Sequence, residues 1–393
     1  MSTPRPSGSA AAPFLIVIIY LGFISLGLPD GTLGVAWPSV YPELRLPVGL
    51  AGALMTVGTL LTATAGFSSG WVIGRFRTVP VLLVSCVLTG GAMLLLARAQ
   101  NLWWLFGAVV PLGLGAGAVD AGLNGYVARH YSGRHMNWLH ACWGIGATTG
   151  PLLMGQALAS THGWRGGYLL IGSIQLGLAG LFFATLRWWE RVPERSLAMQ
   201  VSREANRPTL GANSAEGWVS AAIFVFYTGA ELTIGLWAGT ILVVLRGLPA
   251  EIAAFWVAGY FGAITGGRIA VGFLVDRWGN RRLMRGGLAL AFAGLVGFAL
   301  GGDGPATALA LACIGLGFAP VYPGLMHEVP RRFAPEAVQT VSGRQSGAGA
   351  LGAAVFPAIA GALARDALGA VPWLGCGLAV ALVGALGWLD RRT

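Results

Sequence analysis

Twelve apolar runs recur along this chain, each with a hydrophobic stretch of roughly the 17 to 25 residues that a helix needs to cross a bilayer. In hydrocarbon no water is present to satisfy backbone N–H and C=O groups, so a run of that length folds as a helix. The runs fall at about 13–38, 47–73, 78–98, 102–128, 137–160 and 166–188, then at about 217–244, 250–274, 283–301, 305–327, 338–364 and 370–389. The run at 305–327, with Pro320 and Pro323, is the least regular.

The rest of the composition agrees. Only 10% of the 393 residues are charged, against about a quarter in soluble domains. The 62 glycines follow no three-residue period, which excludes collagen. They suit close helix packing in lipid. A net charge of +10 invites a nucleic-acid reading, but the arginines lie in short connections and form no basic stripe. Cys86, Cys142, Cys313 and Cys376 all sit in apolar segments, without metal-ligand spacing. No metal, cofactor or nucleic-acid partner is expected, and no catalytic constellation is visible.

The longest polar stretch, WERVPERSLAMQVSREANRPTLGANSAEG, divides the chain. The expected organisation is a tail at 1–12, a six-helix half at 13–188, a linker at 189–216, a second half at 217–389 and a tail at 390–393. Arg75, Arg77, Arg129, Arg134, Arg187, Arg191, Arg195, Arg203 and Arg207 fall on one side. Arg277, Arg281, Arg282, Arg285, Arg331, Arg332, Arg391 and Arg392 join them, while the opposite loops hold isolated Arg45, Arg98, Arg165, Arg246 and Arg365. The positive-inside rule therefore places both termini and the linker in the cytoplasm.

The halves repeat. GWVIGRFR at 70–77 and GFLVDRWGNRR at 272–282 both end the second helix of a half and carry Arg at the sixth position. GIGATTGP at 144–151 and GAGALGAAVFP at 347–357 are small-residue seams closed by proline in the fifth and eleventh runs. Two parallel copies of one unit are a transporter architecture.

The chain resembles the major facilitator superfamily along its whole length, most specifically through GFLVDRWGNRR, which looks like that superfamily's loop between the second and third helices of a half. The resemblance implies an all-α polytopic membrane protein, twelve transmembrane helices in two parallel halves, and a cytoplasmic charge network around Asp276 and the arginines after it. Arg75, Arg268, Arg277, Arg281 and Arg282 complete the expected gating set. The first copy is degraded, with Gly74 at the aspartate position and Arg77 at the following glycine position. Within the superfamily, GLGAGAVDAGLNGYV, the Asn-x-x-His of the fifth helix and YTGAELTIGLWAGTIL resemble the fucose–galactose–glucose:proton symporter family.

Asp30, Asp120, Glu231, Arg268 and Arg344 stand inside apolar runs, where ionisable groups face a bundle interior or an aqueous path. Internal salt bridges or caps are the plainer alternative, and suit Arg268 best. Asp120 has Asn124 one turn beyond it on the same face; the resemblance implies a proton-coupling role. Asp30, bracketed by Pro29 and Gly31, looks like the family's first-helix acid, with coupling or substrate contact implied, against a self-satisfied kink. Glu231 follows Tyr227 by four residues, and Trp237 offers a flat wall in a hydroxyl-binding site, or plain core packing. Asn137 with His140, and Arg344 with Gln345, complete the candidate substrate contacts; Gln156 and Gln175 are further polar groups inside the bundle.

These residues lead to an expectation, not an enzyme: a secondary active transporter in the bacterial inner membrane, moving a small polar solute, foremost a sugar, in symport with protons. It is expected to meet membrane lipid and to work as a monomer. The alternatives are a drug or metabolite:proton antiporter, favoured by the abundant aromatics, and an organic-acid transporter, which Arg344 keeps open. No Walker spacing points to ATP.

Overall fold

The computed structural model describes residues 11–130, 133–189, 210–302 and 304–393. Most of the N-terminal tail and of the expected linker lies outside the described residues, as do the side chains of Asn137 and Asp276. The first group of helices is α1 (Ala11–Gly27), α2 (Thr32–Glu43), α3 (Leu50–Phe76), α4 (Thr78–Ala97), α5 (Leu102–His130), α6 (Gly133–Leu158) and α7 (Gly163–Trp189). The second is α8 (Ala215–Thr240), α9 (Ala250–Trp278), α10 (Asn280–Leu300), α11 (Pro305–Phe318), α12 (Val321–Arg332), α13 (Pro335–Ala367) and α14 (Val371–Arg392). The fold is all-α, and α1 with α2, and α11 with α12, each form one broken rod. That makes twelve rods from fourteen helices.

Among the described residues nine stretches are long and apolar enough to cross a membrane, and the ninth, Thr340–Arg392, holds both α13 and α14. Leu50–Gly66 of α3 is a further, shorter apolar stretch. The sequences of α3 and α6 carry Thr, Ser, Asn and His side chains among their apolar residues.

Both breaks have local causes. Pro29 has no N–H to continue the ladder, and Gly31 takes φ +74°, a left-handed conformation open to glycine at little cost. Thr32 recovers the freed Pro29 carbonyl with its own N–H at 3.2 Å and its Oγ1 at 2.6 Å. Pro320 likewise ends the α11 rod, and Ala319 N–H closes onto Gly315 O at 3.1 Å. At the far end of α8 the helix widens to a π turn at Ile241–Leu245.

Glycine sets the helix spacing. On α5, a Cβ at Gly113 would lie 2.6 Å from the Gly58 carbonyl of α3, and one at Gly115 would lie 2.7 Å from the Ser85 carbonyl of α4. The Gly113–Gly115–Gly117 run therefore packs two neighbours, because a two-residue step turns about 200° around a helix. Gly117 returns to α3, against the Thr62 carbonyl.

The two groups meet through α3 with α13, α6 with α9, and α2 with α8. The seam lies toward the face opposite the termini. Gly34 of α2 abuts the Leu236 carbonyl of α8, Gly49 abuts the Gly361 carbonyl, and Gly52 abuts the Pro357 carbonyl. Thr56 Oγ1 donates across the same seam to Ala354 O at 2.6 Å. On the α6–α9 side a Cβ at Gly155 would lie 2.7 Å from that of Ala254, and Gly144 abuts Thr265. Toward the terminal face the packing loosens: Gly66, Gly266, Gly272 and Gly347 have open space where a Cβ would sit.

The repeat seen in sequence is geometric. Arg77 and Gly279 both cap their helices at positive φ, +67° and +76°, and both return their N–H to an equivalent carbonyl, Ile73 and Val275. The backbone turn is kept where the glycine is not.

Candidate functional site

The broken first rod puts Asp30 at the middle of the bundle, where its Oδ2 accepts a 2.7 Å hydrogen bond from Trp143 Nε1 of α6. The Trp143 ring in turn lies beneath the Arg268 guanidinium of α9, 5.5 Å from ring centroid to Cζ, within the range of a cation–π contact. Arg268 Nη2 reaches Glu231 Oε1 at 3.6 Å and Tyr227 Oη at 3.4 Å, both on α8. Tyr260 donates to the Glu231 carbonyl at 2.9 Å and braces the same turn. An acid of the first group and an ion pair of the second are thus connected through one indole.

Asp120 lies on the neighbouring wall. Its side chain is accessible in the folded chain despite its place inside an apolar helix, and Asn124 Nδ2 donates to its Oδ1 at 2.9 Å and to its carbonyl at 3.0 Å. It stands within electrostatic reach of Asp30 and of Tyr322 on α12. His140 is also exposed, packs edge-on against Phe23 at 5.8 Å, and lies within reach of Arg268. A charged side chain facing lipid at this depth costs about 2.5–3.5 kcal/mol, so exposed Asp120 fits a wetted path between the groups.

The structure gathers Asp30, Asp120, His140, Tyr227, Glu231 and Arg268 into one region. Tyr227 and Glu231 are buried at 1% and 5% exposure, so they back the path rather than line it. Arg268 belongs to this region and not to a terminal gate: Asp276 is eight residues on, about 12 Å along the helix.

Other expected residues sit elsewhere. Trp237 is fully buried and donates to Pro357 O at 3.1 Å, a pillar between α8 and α13 and not the wall of a ligand site. Arg344 neither meets an acid of the other group nor points to the centre. It donates to Ala212 O at 2.6 Å and Asn213 Oδ1 at 3.1 Å, and covers the Trp218 ring at 4.0 Å. Gln345 is buried against Ser220 Oγ at 2.6 Å. Gln175 ties α7 to Thr89 of α4 and to the Ser25 carbonyl of α1, while Gln156 is exposed. The placement of the Asn137 side chain lies outside the described residues.

Of the gating set, Arg75, Arg277 and Arg282 are exposed at the terminal face. Arg281 Nε reaches Glu328 at 3.4 Å and Asp390 at 3.9 Å. Arg332 is only 2% exposed and holds Asp390 at 2.7 Å, and Arg285 holds the other oxygen of that carboxylate at 2.8 Å. These contacts join α10, α12 and α14 inside the second group. They brace that group and do not span to the first. The Asp276 side chain lies outside the described residues.

Sequence reasoning missed Trp143, Tyr322 and the pairing of Arg332 with Asp390, although the sequence places His327 and Glu328 at the terminal-face end of their helix, where gate or interface contacts are expected. Trp143 carried a signal: it follows His140 by three residues, which places both on one helical face.

The family model described as Major Facilitator Superfamily matches residues 19–357. Monocarboxylate transporter 11 of Mus musculus is 28% identical over 184 residues, which are 45% of this chain and 41% of that protein. The Homo sapiens protein of the same name matches at the same identity over 39% of its length. The chain thus spans about two fifths of these curated relatives. Among solved structures, a mutant of the nucleoside transporter NupG superposes with a TM-score of 0.74 at 14% identity, covering 95% of this chain and 98% of its own. A bacterial homologue of the human lysosomal transporter Spinster, inward-facing and occupied, gives 0.73 at 14% identity over 99% and 96%. At such identity the likeness is one of fold.

Proposed function

The chain belongs to the major facilitator superfamily, and we propose that it is a proton-coupled secondary transporter of a small polar solute. The observation that carries this reading is Asp120, an acid in an apolar helix that is nonetheless exposed, with a second acid, Asp30, in reach across the first-rod break. A carboxylate in a protein-lined path takes and releases protons as water access changes. The seam is closed on the face opposite the termini, and with the termini placed in the cytoplasm by their arginines this is an inward-open arrangement. Rocking of the two groups about the centre then exposes the acids alternately to each side. In this cycle Asp276 and the arginines beside it hold the opposite, outward-open state by closing the terminal face.

A sugar is the first substrate class to test, because Asp30, Asp120, Asn124 and His140 offer acceptors and donors suited to hydroxyl groups. An organic anion is the second. Arg268 favours it, since its buried Nε has no hydrogen-bond partner among the described residues, and the stretch shared with monocarboxylate transporters supports it. The deciding experiment is uptake into proteoliposomes of a panel of labelled sugars and monocarboxylates, each with and without an imposed proton gradient. Saturable, gradient-driven uptake of a sugar upholds the first reading, and uptake of a carboxylate alone transfers support to the second. Binding without flux for every solute would remove the transport cycle.

A further inference from the structure

We propose that Trp143 is a latch between the two helix groups, holding the far-face seam closed by joining Asp30 to Arg268. The indole uses two different surfaces at once. Its Nε1–H donates to Asp30 Oδ2 at 2.7 Å within the first group. Its ring face meets the Arg268 guanidinium at 5.5 Å across the boundary. Arg268 does not follow the indole freely, because Glu231 at 3.6 Å and Tyr227 at 3.4 Å fix it to α8.

The position along the helix puts the latch at the inner edge of the seam. Gly144, the next residue, abuts Thr265 of α9, and the seam runs on from there through Thr148 beside Gly262 to Gly155 beside Ala254. On the other side of Trp143, toward the terminal face, His140 is exposed and Gly266 and Gly272 have open space beside them. Trp143 therefore sits where packed seam gives way to open path. A contact at that edge joins the two groups at the last point before the path opens between them.

The trigger is the charge on Asp30. A carboxylate accepts a charge-assisted hydrogen bond from the indole, roughly twice as strong as one between neutral partners. A protonated Asp30 holds the indole less firmly, and the ring loses its fixed plane beneath Arg268. Asp120 of α5 is the charged group in reach of Asp30, and His140 of α6, Tyr227 and Glu231 of α8 and Tyr322 of α12 are in reach of Arg268 of α9 at the other side of the indole. Trp143 is thus a positioning residue, acting through the two charges it joins. Only the trigger rests on the proton-coupled reading above; the latch does not.

The test uses the full-length chain in lipid nanodiscs, with Cys86, Cys142, Cys313 and Cys376 replaced by serine and spin labels at Phe76→Cys and Thr340→Cys. These label sites lie at the exposed terminal-face ends of α3 and α13. Distance distributions are recorded without substrate at acidic and alkaline pH. A desolvated cation–π contact is strong enough that Trp143→Leu is expected to shift the ratio of short to long distances toward short by about fivefold or more. A wild-type ratio in folded Trp143→Leu protein overturns the latch. Trp143→Phe keeps a ring face and removes the N–H, and covers the case in which the leucine variant does not fold. It should show the acidic wild-type ratio at both pH values, as Asp30→Asn should. A full wild-type pH response in Trp143→Phe overturns the trigger. If the wild type itself shows no pH response, the proton-coupled reading fails, and the leucine variant still judges the latch.

Discussion

Glu231 Oε1 and Arg268 Nη2 stand 3.6 Å apart in the interior of the second helix group, with Glu231 side-chain exposure at 7% and Arg268 at 24%. Breaking a buried pair by removing one partner strands the other charge, which costs about 3–5 kcal/mol, more than the pair itself contributes. Glu231→Gln and Arg268→Gln should each lower thermal stability in detergent by that order, and the double variant should recover part of the loss. A double-mutant cycle on unfolding measures the coupling. Strictly additive losses would mean that the two charges do not interact.

Asp120 gives the second expectation. Asp120→Asn keeps the hydrogen-bonding shape beside Asn124 and removes the titratable oxygen. Proton-driven accumulation should be abolished or greatly reduced, while exchange down a substrate gradient persists in part. Proton flux and labelled-substrate flux, recorded on vesicles holding equal folded protein, give the answer. An unchanged proton:substrate ratio would move the coupling role to Asp30 or Glu231.

The far-face seam gives the third. A Cβ at Gly34 would run into the Leu236 carbonyl across the group boundary, with the Gly235 carbonyl beside it. Overpacking of this kind costs about 1–3 kcal/mol, so Gly34→Val should reduce the seam-closed population roughly tenfold. Spin labels at Ala159 and Glu251, exposed at the far ends of α6 and α9, should report a longer mean distance. The same distance in both proteins would show that the seam does not set the state.

The fourth concerns a backbone position alone. Gly279 takes φ +76° and ψ 151°, and a Cβ there meets nothing within 4 Å. Gly279→Ala should therefore destabilise by about 1–3 kcal/mol through conformation and not through a clash. Arg77 already bears such a conformation at the equivalent turn, so Arg77→Ala should bring no comparable backbone penalty. Melting temperatures of the two variants in one detergent compare them directly.

Much of this molecule is written locally. Apolar length dictates helices in lipid, because an unpaired backbone group has no water to turn to. Pro29 and Gly31 announce the break in the first rod, and Pro320 the break at α11, since each alters the backbone of its own turn. The Asp120–Asn124 pair was legible for the same reason, being one helical turn apart. The repeat at 70–77 and 272–282 also survived translation into geometry, in the matching turns at Arg77 and Gly279.

Contacts between helices were not legible. Asp30 and Trp143 are 113 residues apart in sequence, and Arg344 finds Ala212 across 132. Trp237 and Arg344 had the composition of ligand contacts, yet one became a pillar and the other a clasp on the start of α8. Helical periodicity tells which residues share a face, but the neighbour of that face depends on how every rod is rotated and how closely its glycines let it approach. That rotation and approach are settled by packing over the whole bundle, so only the tertiary structure decided which buried charges meet and which face of the molecule is closed.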